Sequence, residues 1–234
     1  MLYIPIGLIF FLAFWFLFAL LVGLIQIGIL QYVFESMGIS RRYLLALLLF
    51  SLLGSYVNIP IAHLSTEHVR AGTVAEFFGM QYVIPSVDSG GTVLAVNLGG
   101  AVIPFILSMY LMVKNRLYEE SVFAVGIVTI VVHAMARPVP GVGIAVPIFI
   151  PPVVTAIVAL ALRRWNPAPL AYIAGSLGTL IGADLLNLNK VRDLGAPVAS
   201  IGGAGKFDGI FLTGVVAVLL TSILSGPART RRYS

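Results

Sequence analysis

The sequence predicts an all-α integral membrane protein of about seven transmembrane helices, with a small β-rich extramembrane segment between the second and third. Composition is the first ground. Of 234 residues 59% are hydrophobic and only 10% charged, with a mean hydropathy of +1.05, against about 45–50% apolar and about 25% charged in ordinary soluble domains. A water-soluble globular fold is thereby excluded. The apolar residues also come in unbroken runs close to the ~20 residues a helix needs to cross a bilayer, where a barrel would show alternating segments of ~10 residues. Finally, only helices and closed barrels satisfy their backbone groups in lipid.

Taken in order, the runs place spans at about 4–34, 43–63, 92–113, 121–136, 147–162, 168–188 and 208–225 of one polytopic domain covering 1–234. The first exceeds the hydrocarbon thickness, so it tilts or projects. Between spans two and three, Leu64–Gly91 carries short β-rich runs broken by Gly79 and by Asp88-Ser89-Gly90-Gly91, the pattern of an outer hairpin or meander. Spans four and five are short. Between them Arg137–Pro147 holds three prolines and two glycines, which rules out continuous helix and predicts a re-entrant or cavity-lining loop. In span six, Gly175, Gly178 and Gly182 form a small-residue stripe suited to close helix packing.

With no cysteine there is no disulfide framework or thiolate metal site, and His63, His68 and His133 follow no metal-ligand spacing. No metal or cofactor is expected, and the expected partner is the lipid bilayer. The net charge of +5 reflects basic residues gathered on one face, not nucleic-acid binding. With an outside N-terminus, one face receives Arg41, Arg42, Lys114, Arg116, Arg163, Arg164, Arg229, Arg231 and Arg232, nine in all. The other receives five: Arg70, Arg137, Lys190, Arg192 and Lys206. The positive-inside rule then predicts a multi-pass cell-membrane protein, N-terminus outside and C-terminus cytoplasmic. No basic residue precedes Arg41, so the first segment lacks the positive start of a signal peptide and is expected to be retained.

Polar residues inside the apolar slab gather towards the outer ends of the spans. They are Asn58, Asn97, His133, Arg137, Asp184 and Asp208, with Gln26 and Gln31 of span one as the exceptions. Ionisable groups at membrane depth face a cavity or one another, so the cluster predicts a water-accessible pocket open outward. Its lining is expected to include Pro138, Pro140, Gly141 and Gly143 of the first loop, and Gly202, Gly203, Gly205 and Lys206 of the glycine-rich segment before span seven. Asp184 and Asp208 fall at matching depth on consecutive antiparallel helices. Two carboxylates sharing one proton can act as base and acid on a water. Other readings remain open: Asp208, followed by Gly209, suits a helix N-cap, and Asp184 suits an ion pair with Arg137, Lys190 or Arg192.

The stretches Gly54–Pro60, Ala95–Gly100, Arg137–Gly143, Gly182–Leu188, Gly195–Gly205 and Phe207–Phe211 resemble one uncharacterised family of prokaryotic polytopic membrane proteins, a domain of unknown function. The resemblance runs from about Leu52 to Gly214 and implies membership without an activity. More distantly, Asp184 and Gly203-Ala204-Gly205-Lys206-Phe207-Asp208 resemble the paired aspartates of GxGD-type intramembrane aspartyl proteases such as presenilin and signal peptide peptidase. Two residues separate Gly205 from Asp208 where that motif has none, and no PAL motif follows. The resemblance implies catalytic roles for Asp184 and Asp208 on a membrane-protein or peptide substrate. A proton- or cation-coupled small-molecule transporter, with Asn58, Asn97 and His133 as ligands, and a non-catalytic membrane scaffold are the alternatives.

Overall fold

A computed structural model describes residues 6–64, 74–77, 80–83, 91–139, 143–191, 198–203 and 209–225. The chain is mostly helical, and among the described residues four helical stretches are long and apolar enough to cross a membrane: Phe14–Ser36, Leu98–Asn115, Tyr118–Met135 and Ala168–Val191. Ile150–Leu162 and Gly209–Ser225 are apolar but shorter.

The first helix, α1 (Ile6–Ser36), contains neither proline nor an acidic residue in its first turn. Most of its length is exposed, and it meets the rest of the protein mainly at its end, where Val33, Phe34 and Met37 are buried. Lys114 donates to the Gly38 carbonyl at 2.6 Å and so ties that end to the bundle. The second helix, α2 (Arg41–Gly54), has 14 residues, about 21 Å at 1.5 Å per residue.

Three strands follow: β1 (Asn58–Leu64), β2 (Val74–Phe77) and β3 (Met80–Val83), then β4 (Thr92–Asn97). β2 and β3 pair as an antiparallel hairpin, in the segment whose sequence predicts one. β1 and β4 overturn a different expectation. Hydropathy places residues 58–63 and 92–97 in helical spans two and three, yet they form an antiparallel pair, Asn58 opposite Asn97 and His63 opposite Val93. The local chemistry explains it: Ile59 precedes Pro60, which disfavours helix, and Val57, Ile59, Ile61 and Val93, Val96 are β-branched. Apolarity alone does not distinguish the two conformations.

A π-helical turn (Leu98–Val102) leads from β4 into α3 (Ile103–Asn115), with Pro104 in its first turn. Arg116 turns the chain at φ 53° into α4 (Tyr118–Met135), whose first turn carries Glu119 and Glu120, favourable against the helix dipole. The proline-rich segment is a short hairpin of β5 (Arg137–Val139) and β6 (Gly143–Ala145). Next come α5 (Ile150–Leu162), opened by Pro151 and Pro152, and α6 (Ala168–Thr179), opened by Pro169. α6 then unwinds through a second π-helical turn (Leu180–Asp184) and a 3-10 turn (Leu185–Asn187) into the short α7 (Leu188–Val191). β7 (Val198–Ile201) and α8 (Gly209–Ser225) complete the described chain.

α6 is the centre, with all twelve residues buried. Its glycines set how closely the neighbours approach: a Cβ on Gly175 would come 3.2 Å from the Gly214 Cα of α8, and one on Gly178 would overlap Val128 of α4. The predicted small-residue stripe is therefore the packing surface. β7 lies parallel to β4 in a sheet of order β1-β4-β7, the crossover between them being the whole run from α3 to α7. The sheet therefore caps the end of the bundle where α6 unwinds and where α3 and α8 begin. There Ala101, Leu180, Ile201 and Ile210 form a buried cluster apart from the main core.

Candidate functional site

The polar residues of this end are held by three connected sets of contacts. Asp184 closes the π-helical turn, and its Oδ2 accepts a 2.7 Å hydrogen bond from the Gly202 backbone N–H, just past β7. Gly202 adopts φ +90°, and a Cβ there would lie 2.5 Å from the Ala101 nitrogen and 2.8 Å from the Gly100 carbonyl carbon. The first turn after β4 therefore presses on the residue that holds the carboxylate. Among the described residues, no lysine or arginine pairs with Asp184. That sets aside Arg137 and Lys190 as its ion-pair partners.

Asn97 is a bracket. Its Nδ2 donates to the Ser55 carbonyl at 2.7 Å and to Asn58 Oδ1 at 3.0 Å, and its Oδ1 accepts from the Gly100 N–H at 2.8 Å. Both amide hydrogens are committed and the residue is 1% exposed, so it joins α2, β1 and the π-helical turn instead of offering groups to a ligand. Asn58 Oδ1 also accepts from Ser200 Oγ at 2.6 Å, which ties β1 to β7 across β4. The approach of α2 to the turn is backbone against backbone. A Cβ on Gly99 would overlap the Ser51 carbonyl oxygen and the Ser55 nitrogen, and Ser51 Oγ donates to the Gly99 carbonyl at 3.2 Å.

The third set satisfies carbonyls that the unwinding of α6 releases. Asn187 is fully buried; its Nδ2 donates to the Gly182 and Ala183 carbonyls at 3.0 and 2.9 Å. Its Oδ1 accepts from Lys190 Nζ at 2.8 Å. His133 Nδ1 lies 3.3 Å from the Gly182 carbonyl and 3.2 Å from Asn187 Nδ2. Since both Asn187 hydrogens go to carbonyls, the consistent assignment puts a proton on His133 Nδ1, donated to Gly182, and leaves Nε2 without a partner among the described residues.

Of the sequence-predicted site, the structure brings Asp184 to Gly202, Asn58 to Asn97, and His133 to the turn that ends in Asp184. Arg137 and Pro138 are exposed on β5, whose partner strand begins at Gly143, φ +136°. Gly203 follows Gly202, also at positive φ. Asp208, Pro140, Gly141, Gly205 and Lys206 lie outside the described residues. Sequence reasoning passed over Ser200 and Asn187. For Asn187 a signal existed, an amide in an apolar run three residues before Lys190. Ser200 became visible only through the pairing of β7 with β4. Among the described residues no group of His, Asp or Glu side chains is arranged to hold a metal ion.

The chain belongs to the family described as protein of unknown function (DUF1614), whose profile matches residues 52–220. The matched region takes in the sheet, both π-helical turns and the end of α6 with Asp184, and leaves out α1. No curated protein and no solved structure matches the chain.

Proposed function

We propose that this member of the family is an intramembrane hydrolase in which Asp184 and Asp208 act as a carboxyl dyad on a peptide segment presented at the sheet-capped end of the bundle. The observation that carries the reading is the setting of Asp184. Its carboxylate is held by a backbone N–H with no basic partner among the described residues. Ile210, two residues after Asp208, packs with Leu180 and Ile201, so the segments flanking both aspartates share one cluster.

In this reading the ionised member takes a proton from water as the water oxygen attacks the peptide carbonyl carbon. The protonated member gives its proton to the carbonyl oxygen, forming a gem-diol. The carboxyl that took the water proton then passes it to the amide nitrogen while the other carboxylate takes a proton from the diol, so the C–N bond breaks to acid and amine and the dyad is left with one proton. The Gly202 N–H fixes one Asp184 oxygen, and Asn58 with Ser200 ties the strand that supplies that N–H. The GxGD resemblance agrees with this division of roles. The protein lies in the cell membrane with its N-terminus outside, the orientation favoured by nine basic residues against five.

The test is cleavage of quenched-fluorophore transmembrane peptides by the full chain in liposomes. Asp184→Asn and Asp208→Asn are each expected to lower turnover by about 10²–10⁴, the usual worth of a positioned acid or base. Cleavage unaffected by both substitutions would refute the dyad. A second reading has its own observation: α6 is a discontinuous helix whose break carries the carboxylate, as in transporters that bind ions at broken helices. Proton-driven solute uptake abolished by Asp184→Asn, without any peptide cleavage, would favour it.

A further inference from the structure

The Asn187 amide holds two groups that the proposed hydrolysis does not use. Lys190 Nζ spends one hydrogen on Asn187 Oδ1, and its other two have no partner among the described residues. On the far side of the same amide, His133 Nε2 has no hydrogen-bond partner among the described residues. Neither residue pairs with a carboxylate among the described residues. Because Asn187 is buried and all its polar atoms are engaged, the half-exposed lysine is anchored on a fixed acceptor, which lowers the entropy lost on binding.

Beside these polar groups lies apolar surface. Leu185 and Leu186, immediately before Asn187, are exposed, and so is Ile130, one helical turn before His133 on α4. A cation and an imidazole at a helix break, flanked by uncovered aliphatic side chains, match one chemistry: a phosphate diester carrying acyl chains. We propose that Lys190 and His133 bind the headgroup phosphate of an anionic phospholipid, whose chains lie along Leu185, Leu186 and Ile130. Lys190 supplies charge and two N–H donors. His133 adds its imidazole from the other side of the Asn187 amide.

The inference rests on the membrane placement of the preceding reading and not on the dyad. The experiment is mass spectrometry of the intact, detergent-released full chain after exchange into vesicles of phosphatidylglycerol or phosphatidylcholine, with inorganic phosphate as competitor. Preferential retention of phosphatidylglycerol is expected, falling about fivefold in Lys190→Gln, the usual worth of one interfacial cation. Glutamine keeps a donor for Asn187 Oδ1, so the fold is preserved. Lys114→Gln, at the opposite end of α3, should retain the lipid as the unchanged chain does. Equal retention by Lys190→Gln and the unchanged chain would overturn the site. Displacement by millimolar inorganic phosphate would overturn the lipid as its ligand. Failure to enter vesicles of either lipid would instead refute the membrane placement.

Discussion

Substituting Gly202 by alanine tests how the site is assembled. Two costs are separable. At φ +90° any side chain strains the backbone, about 1–2 kcal/mol. The new methyl also meets Ala101 N at 2.5 Å, the Ala101 Cβ at 2.7 Å and Gly100 C at 2.8 Å. Two of these are backbone atoms, so relief requires moving β7 or the turn after β4, about 1–3 kcal/mol more. The sum is roughly 2–5 kcal/mol. Gly143→Ala supplies the comparison, since Gly143 has φ +136° with nothing within 4 Å of the added carbon and should cost only the strain. Thermal unfolding in detergent, followed by tryptophan fluorescence, should place Gly202→Ala below Gly143→Ala. The gap should be several degrees, at about 2–4 °C per kcal/mol for a chain of this size. Equal melting of the two variants would refute the packing of Gly202 on the π-helical turn between β4 and α3, and with it the account of how Asp184 is positioned.

Other substitutions should rank in a set order. Asn97→Leu strands the Gly100 N–H and the Ser55 carbonyl, takes one of two donors from Asn58 Oδ1 and should cost about 2–4 kcal/mol. The exposed Asn58→Ala should cost about 1 kcal/mol, read in the same melts. Asn187→Leu leaves the Ala183 carbonyl without its side-chain donor, the Gly182 carbonyl with His133 alone and Lys190 without its acceptor, and should cost about 2–4 kcal/mol. It should also loosen Lys190, measurable as faster amine acetylation at that position. Glu120→Gln removes the 3.5 Å contact to Arg163, both side chains about one-third exposed, and should shift the melt by less than about 0.5 kcal/mol.

Much of the helical architecture is readable from apolar run length and from proline and glycine positions. Pro104, Pro151 and Pro169 each stand in the first turn of a helix, and Gly175, Gly178 and Gly182 lie where neighbours approach α6. The sheet was hidden because β1 and β4 are as apolar as the helices they adjoin, so a hydropathy window joins them; only their β-branched content and Pro60 speak against helix. β7 pairs with β4 across about one hundred residues, and no local pattern announces such a register. Asp184 stood out because a carboxylate in an apolar run is costly. Its partner could not be foreseen, since the donor is a backbone N–H presented by the turn at Gly202. Asn97 was singled out for its polarity, but polarity does not distinguish a bracket with every donor used from a group that meets a ligand.

The central claim is that Asp184 and Asp208 work as a pair, and the absence of native cysteine allows a direct measurement. Asp184→Cys with Asp208→Cys, oxidised in membranes, should form an intramolecular disulfide as readily as His63→Cys with Val93→Cys, whose parent residues face each other across β1 and β4. Disulfides need Cα atoms within about 7 Å. Efficient closure of both pairs is the predicted result. Closure of the strand pair alone, with the aspartate pair also resisting a bis-thiol crosslinker of about 10 Å, longer than the disulfide span, would place the two aspartates too far apart to share a proton, and would contradict the account.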